Sequence, residues 1–89
     1  MTEFSNNLTP AEAERIAYLA EECGEVIQIA MKILRHGYGD KTTMYDNREL
    51  LKDEIIDFQK ALYLMCKNKD IVFDFKSLDE PTYKYMHHQ

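Results

Sequence analysis

No basic block and no arginine-rich arm occur anywhere in the 89 residues, whose net charge is −5. A nucleic-acid backbone would meet nothing to neutralise it, so nucleic acid is not an expected partner. No apolar run approaches the roughly 20 residues that a bilayer-spanning helix requires. The opening "MTEFSNNLTP" likewise lacks the apolar segment of a signal peptide. The expectation is a cytoplasmic chain with no membrane partner. Cysteine is scarce: Cys23 and Cys66 both fall inside apolar stretches, as reduced core thiols do, and no disulfide is expected. Internal repeats and low-complexity tracts are absent too. What remains is 45% hydrophobic and 30% charged, the balance of a globular chain rather than a disordered one.

Helix punctuation is clear. Thr9-Pro10-Ala11-Glu12 spells a helix start, with Thr9 as cap, Pro10 in the first helical position and Glu12 closing a capping box. Gly24 is the one breaker before Gly37, so a first helix is predicted from about Pro10 to His36, with Gly24 allowing close helix packing. Residues 37–46, "GYGDKTTMYD", read as a loop. Asp46 or Asn47 then caps a second helix expected to reach about Asn68, with Glu49 three residues after Asp46. Beyond it, residues 69–89 read as a tail. Ser77 and Glu80 suggest another capping box there, and a short helix near 78–86.

The predicted fold is therefore all-α. It is a single domain, 1–89, with its core in 9–68: two long antiparallel helices plus a short C-terminal helix or tail. Two helices enclose little core. Assembly into a homo-oligomeric helical bundle is expected, tetramer favoured over dimer because the first helix carries two apolar faces.

Those faces pose the functional question. At about 100° per residue, Ile16, Leu19, Ala20, Cys23, Ile27, Ala30 and Leu34 share a stripe that reads as the core seam. Tyr18, Val26, Ile29 and Ile33 form a second set beside it, and Glu22 and Glu25 fall within or at the edge of that set. On the second helix Leu50, Phe58, Ala61, Leu64 and Met65 make the apolar stripe, with Glu54 and Asp57 in its middle. Burying unpaired carboxylates costs several kcal/mol per ion. A raised pKa, a basic partner or a bound cation can offset that cost.

The spacing favours the cation. Glu22 and Glu25 lie one turn apart, as do Glu54 and Asp57. Across an antiparallel pair the four converge into an all-oxygen site, which suits Mg²⁺ or Mn²⁺. A carboxylate-bridged iron site would want Glu-x-x-His on two helices. None occurs, and His36, His87 and His88 are not spaced for it.

"EECGEVIQIAMKILRHG" followed by "NRELLKDEIIDFQKAL" resembles the MazG-like all-α nucleoside triphosphate pyrophosphohydrolases. The family pattern, Glu-x-x-Glu, a spacer and Glu-x-x-Asp, reads here as Glu22 to Glu25 and Glu54 to Asp57. Glu21 and Gly24 match its usual opening, Lys32, Arg35 and Gly37 resemble the run that follows, and Asn47 and Arg48 the start of the second helix. The resemblance covers about residues 12–66.

It implies hydrolysis of a nucleoside triphosphate to the monophosphate and pyrophosphate, with Mg²⁺ (or Mn²⁺) held by Glu22, Glu25, Glu54 and Asp57. Glu21, or Glu22 itself, is the implied catalytic carboxylate, with Glu21 orienting or deprotonating the attacking water or holding a second metal. Lys32, Arg35 and Asn47 are implied contacts to the nucleotide substrate. Each has a structural competitor: a solvated face for Glu21, the helix dipole for Lys32 and Arg35, and a cap for Asn47. Tyr18, Tyr38 and Tyr45 can stack on a base or simply pack. A phosphoribosyl-ATP pyrophosphatase-like enzyme is a narrower variant. A non-catalytic helical interaction module that keeps the acidic pattern is the competing class.

Overall fold

The computed structural model describes residues 6–39 and 45–74. Helix α1 spans Pro10–His36 and helix α2 spans Asn47–Lys67, and no strand occurs among the described residues. The expected short helix near 78–86, with its Ser77 and Glu80, lies outside the described residues, as does most of the 69–89 tail.

Both starts form as their residues dictate. The Thr9 hydroxyl accepts from the Glu12 N–H at 3.1 Å, and the Glu12 carboxylate accepts from the Thr9 N–H at 2.8 Å. At α2 the cap is Asp46, whose Oδ1 accepts from the Glu49 N–H at 2.9 Å. Asn47 is thus the first helical residue rather than the cap. Gly37 ends α1 at φ +85°, a left-handed setting that a side chain would strain, and its N–H bonds the Ile33 carbonyl.

The helices are antiparallel, because the start of α1 meets the end of α2 and the end of α1 meets the start of α2. At the first of these junctions the Arg15 guanidinium donates to both oxygens of Asp70, at 2.5 and 2.9 Å. A Schellman turn aims Asp70 there: Lys69 sits at φ +62°, its N–H reaches the Cys66 carbonyl, and the Asp70 N–H reaches that of Met65. Residues 69 and 70, read from sequence as tail, are therefore tied into the hairpin. The guanidinium holds the Asp70 carboxyl below its usual range, so this pair contributes stability above the ordinary Asp pKa and loses it as acid protonates Asp70. The Asp70→Asn variant is expected to lower stability, read as a lower urea midpoint at pH 7.

Packing corrects the sequence reading of α1. The side facing α2 is the second set: Glu22 and Ile29 are buried, and Tyr18, Val26 and Ile33 are half-buried. The stripe read as the core seam lies largely outside, with Ile16, Ile27 and Leu34 at 45%, 62% and 78% exposure. Helical periodicity could not rank two adjacent apolar stripes; the position of α2 does. On α2, Ala61 and Met65 are buried as expected.

Gly24 is corrected as well. A Cβ built there meets nothing within 4 Å, so the glycine serves no close packing within the chain. Gly24→Ala should stabilise α1 by roughly 0.5–1 kcal/mol. Differential scanning calorimetry would register this as a rise of a few degrees in Tm.

Candidate metal centre

Two turns of helix bring the acidic residues together. Glu22 and Glu25 project from α1 and Glu54 and Asp57 from α2, and one carboxylate oxygen of each lies within 4.8 Å of all the others. The spacing of i and i+3 puts each pair on one face, and the antiparallel crossing at mid-helix makes the faces meet. All four expected metal ligands are in this group.

Its depth is uneven. Glu22 is 8% exposed, and Oε2 of Glu22 and Oε2 of Glu54 are both sealed from solvent without a hydrogen-bond partner. Asp57, by contrast, keeps its side chain 46% exposed, with the Lys60 Nζ at 4.0 Å. The cluster is thus a groove with a closed floor and an open lip on the Asp57 side. Relative to the inward stripes, Glu25 on α1 and Asp57 on α2 both turn toward this lip. Cys23, Ile27 and Ile55 turn to the opposite flank, where they share an apolar recess with Val26 and Phe58.

Four carboxylates this close repel one another, and protons relieve it. The Glu54 carboxyl is pushed from its ordinary 4.5 up to about 7, first by the hydrogen bond it shares with Glu25, then by burial, then by the charges of Glu25, Asp57 and Glu22. Glu22 is also raised, chiefly by burial and then by Glu25 and Asp57. For a carboxyl raised on folding, the unfolded chain releases its proton first, so stability falls as pH climbs from about 4.5 to about 7. In metal-free buffer the thermal midpoint is therefore expected to be higher at pH 5 than at pH 8. After allowance for solvent screening, the difference amounts to on the order of 1 kcal/mol. Asp70 is ionised in both states across that window and does not mask the trend.

The donor set fits a hard divalent cation: oxygen atoms only, two of them buried and unsatisfied. The 4.8 Å spread is slightly wider than the roughly 4.2 Å between opposite oxygens around Mg²⁺.

The other expected site residues are distributed around this centre. Glu21 is exposed and lies outside the four, although its charge adds to the upward push on Glu22. Lys32 is half-buried two turns beyond Glu25, on the side of the open lip, and Arg35 is exposed in the last turn of α1. Asn47 is not brought to the cluster surface. It is wholly buried, its Nδ2 donates to the Gly37 carbonyl at 3.0 Å, and its Oδ1 has no partner among the described residues. Beside it Arg48 stacks over the Tyr38 ring at 4.6 Å. This geometry gives Asn47 and Arg48 the work of stitching the loop.

Two contributors escaped the sequence reading. Lys60 stands outside the apolar stripe of α2 and follows Asp57 by one turn. Arg15 precedes Glu22 by seven residues, on the same stripe, which was the available signal that it turns inward. Comparison of the chain with family models, with curated proteins and with solved structures returns no match.

Proposed function

We propose that this protein is a Mg²⁺-dependent nucleoside triphosphate pyrophosphohydrolase of the MazG-like kind, with Glu22, Glu25, Glu54 and Asp57 holding the metal. The observation that carries the reading is the sealed, unpartnered pair of oxygens on Glu22 and Glu54 inside a ring of four carboxylates. A shared proton on Glu54 offsets that burial only up to about pH 7, whereas a divalent cation compensates it with the carboxylates ionised. Mn²⁺ would serve in place of Mg²⁺ with the same donors. When bound, the ion supplies charge neutralisation at phosphate oxygens and a lowered pKa for water.

The remaining roles fall to the chain's own groups. Glu21, exposed and next to Glu22 in the chain, would orient a water molecule or take its proton. Lys32 and Arg35 continue along α1 toward its C-terminus and offer positive charge to the terminal phosphates. The open lip gives a substrate access without disturbing the buried pair.

The same reading includes a homo-oligomer. Only Ile29, Ala61 and Met65 are buried apolar side chains among the described residues, too small a core for a hairpin to stand alone. The flank opposite the lip carries Ile16, Ile27, Leu34 and Ile55, each 39% exposed or more. Pairing this flank with its copy builds a four-helix core and leaves the acidic lip free, and two such pairs make the favoured tetramer. Sedimentation mass measures which forms.

The decisive experiment is a panel of canonical and modified nucleoside triphosphates with Mg²⁺ or Mn²⁺, in separate assays for pyrophosphate and orthophosphate. Pyrophosphate release from at least one nucleotide is expected. None from any would sink the proposal, and orthophosphate alone would assign cleavage to a different bond.

A further inference from the structure

A second depression lies on the open side of the carboxylates. It is shallow, about 510 Å³, and lined by Tyr18, Ile56, Gln59, Lys60, Tyr63 and Leu64. Its place relative to the cluster is set by helix geometry. Lys60 and Leu64 follow Asp57 by one and two turns on the same side of α2, and Tyr18 precedes Glu22 by about one turn on α1. At about 5.4 Å per turn the pocket begins one helical turn from the carboxylates. Lys60 belongs to both, lining the pocket while its Nζ stands 4.0 Å from the Asp57 carboxylate.

We infer that this pocket receives the nucleoside end of a nucleotide whose phosphates engage the four carboxylates, an inference that rests on the nucleotide-hydrolase reading above. The lining matches that ligand in kind. Tyr63, 63% exposed, and the half-buried Tyr18 offer aromatic faces for a base, and Ile56 and Leu64 give an apolar floor. The Gln59 amide supplies both a donor and acceptors for a base edge or a sugar hydroxyl. Lys60 sits where base and sugar give way to phosphate, a point at which the substrate is anionic and the protein otherwise acidic.

The arrangement also sets a direction. Tyr18 and Lys32 lie on opposite sides of Glu22 and Glu25 along α1, so a nucleotide with its nucleoside at Tyr18 points its terminal phosphates toward Lys32. The phosphoryl group nearest the sugar then lies over the carboxylates, which is the one attacked when pyrophosphate leaves. A larger recess of about 630 Å³, lined by Phe58, Leu62, Cys66 and Phe73 among others, is on the far flank of α2. It shares Gln59 and Tyr63 with the pocket, while Phe58, Leu62 and Cys66 turn away from Asp57.

The test uses isothermal titration of the full chain with a nucleoside triphosphate carrying a methylene bridge between its α- and β-phosphates, in Mg²⁺. Inorganic tripolyphosphate with Mg²⁺, and Mg²⁺ alone, are the parallel ligands. Wild type is expected to bind the nucleotide at least about tenfold more tightly than tripolyphosphate. Tyr63→Ala and Ile56→Ser should weaken the nucleotide at least tenfold while leaving tripolyphosphate and Mg²⁺ within twofold, and Tyr63→Phe should retain affinity. Equal affinity of wild type for nucleotide and tripolyphosphate overturns the inference. So do variants that weaken both ligands alike or neither. A change in sedimentation mass of Tyr63→Ala would give this surface to a second copy of the chain and overturn it too. The Mg²⁺ titration separates the two levels: tight Mg²⁺ with no nucleoside preference leaves the metal centre standing, and no Mg²⁺ binding by wild type removes the reading beneath it.

Discussion

Glu54→Gln is expected to abolish Mg²⁺-dependent turnover while raising the thermal midpoint of the metal-free protein. Both effects come from one atom group. In the wild type the Glu54 carboxyl shares a hydrogen bond with Glu25, is drawn out of water and faces three other carboxylates, and its pKa is displaced to about 7 for those reasons, in that order. An isosteric amide removes a charge that the metal-free fold resists, so stability rises most at pH 8, where wild-type Glu54 is ionised. The same amide cannot supply an anionic ligand, and a loss of turnover on the order of 10³-fold, about 4 kcal/mol of barrier, should follow. Scanning calorimetry with and without Mg²⁺ gives the sharper contrast. Wild type should gain stability on adding Mg²⁺, and Glu54→Gln should gain little. A variant that keeps the full Mg²⁺ shift would remove Glu54 from the ligand set. If turnover also survived, the acidic pattern would be incidental to activity.

The second large effect is on assembly. Ile27 is 62% exposed and lines the apolar recess with Cys23, Val26, Ile55 and Phe58. Introducing Glu at position 27 puts a charge into the flank assigned to the subunit contact, where pairing would have to desolvate it at a cost of several kcal/mol. Sedimentation should show dissociation, and circular dichroism should show loss of helix at micromolar concentration, because the separated hairpin retains so few buried apolar side chains. Gln28→Glu, one residue away and exposed, is the matched control and should change neither. A wild-type chain that sediments as a stable monomer would refute the assignment of this flank. In that case the hairpin would have to be stabilised by contacts other than those between its helices.

Local chemistry carried much of the architecture. Thr9, Pro10 and Glu12 announce one helix and Asp46 with Glu49 the other, because capping is a transaction among residues three apart that needs no tertiary partner. The i, i+3 carboxylate pairs are legible for the same reason, since helix geometry alone puts both members on one face. The error over the core seam has the complementary cause. Ile16, Ile27 and Leu34 are as hydrophobic as Ile29 and Ile33, and periodicity assigns both sets to faces without saying which face meets α2. Asn47 shows the same boundary. Its residue type suits a cap, a ligand or a loop tie; the structure gives the cap to Asp46 and shows the loop tie to the Gly37 carbonyl.

By itself, the sequence determined two capped helices, the loop between them, and four acidic side chains in pairs on apolar faces. Each of these depends on intervals of three to seven residues along one chain segment. The tertiary structure alone decided that the two pairs meet within 4.8 Å, that Glu22 and Glu54 each seal an oxygen without a partner, and that Asp70 returns to Arg15 across the hairpin. Those facts depend on the rotation of one helix about its axis relative to the other. Packing of whole faces sets that rotation, and no local interval of sequence encodes it.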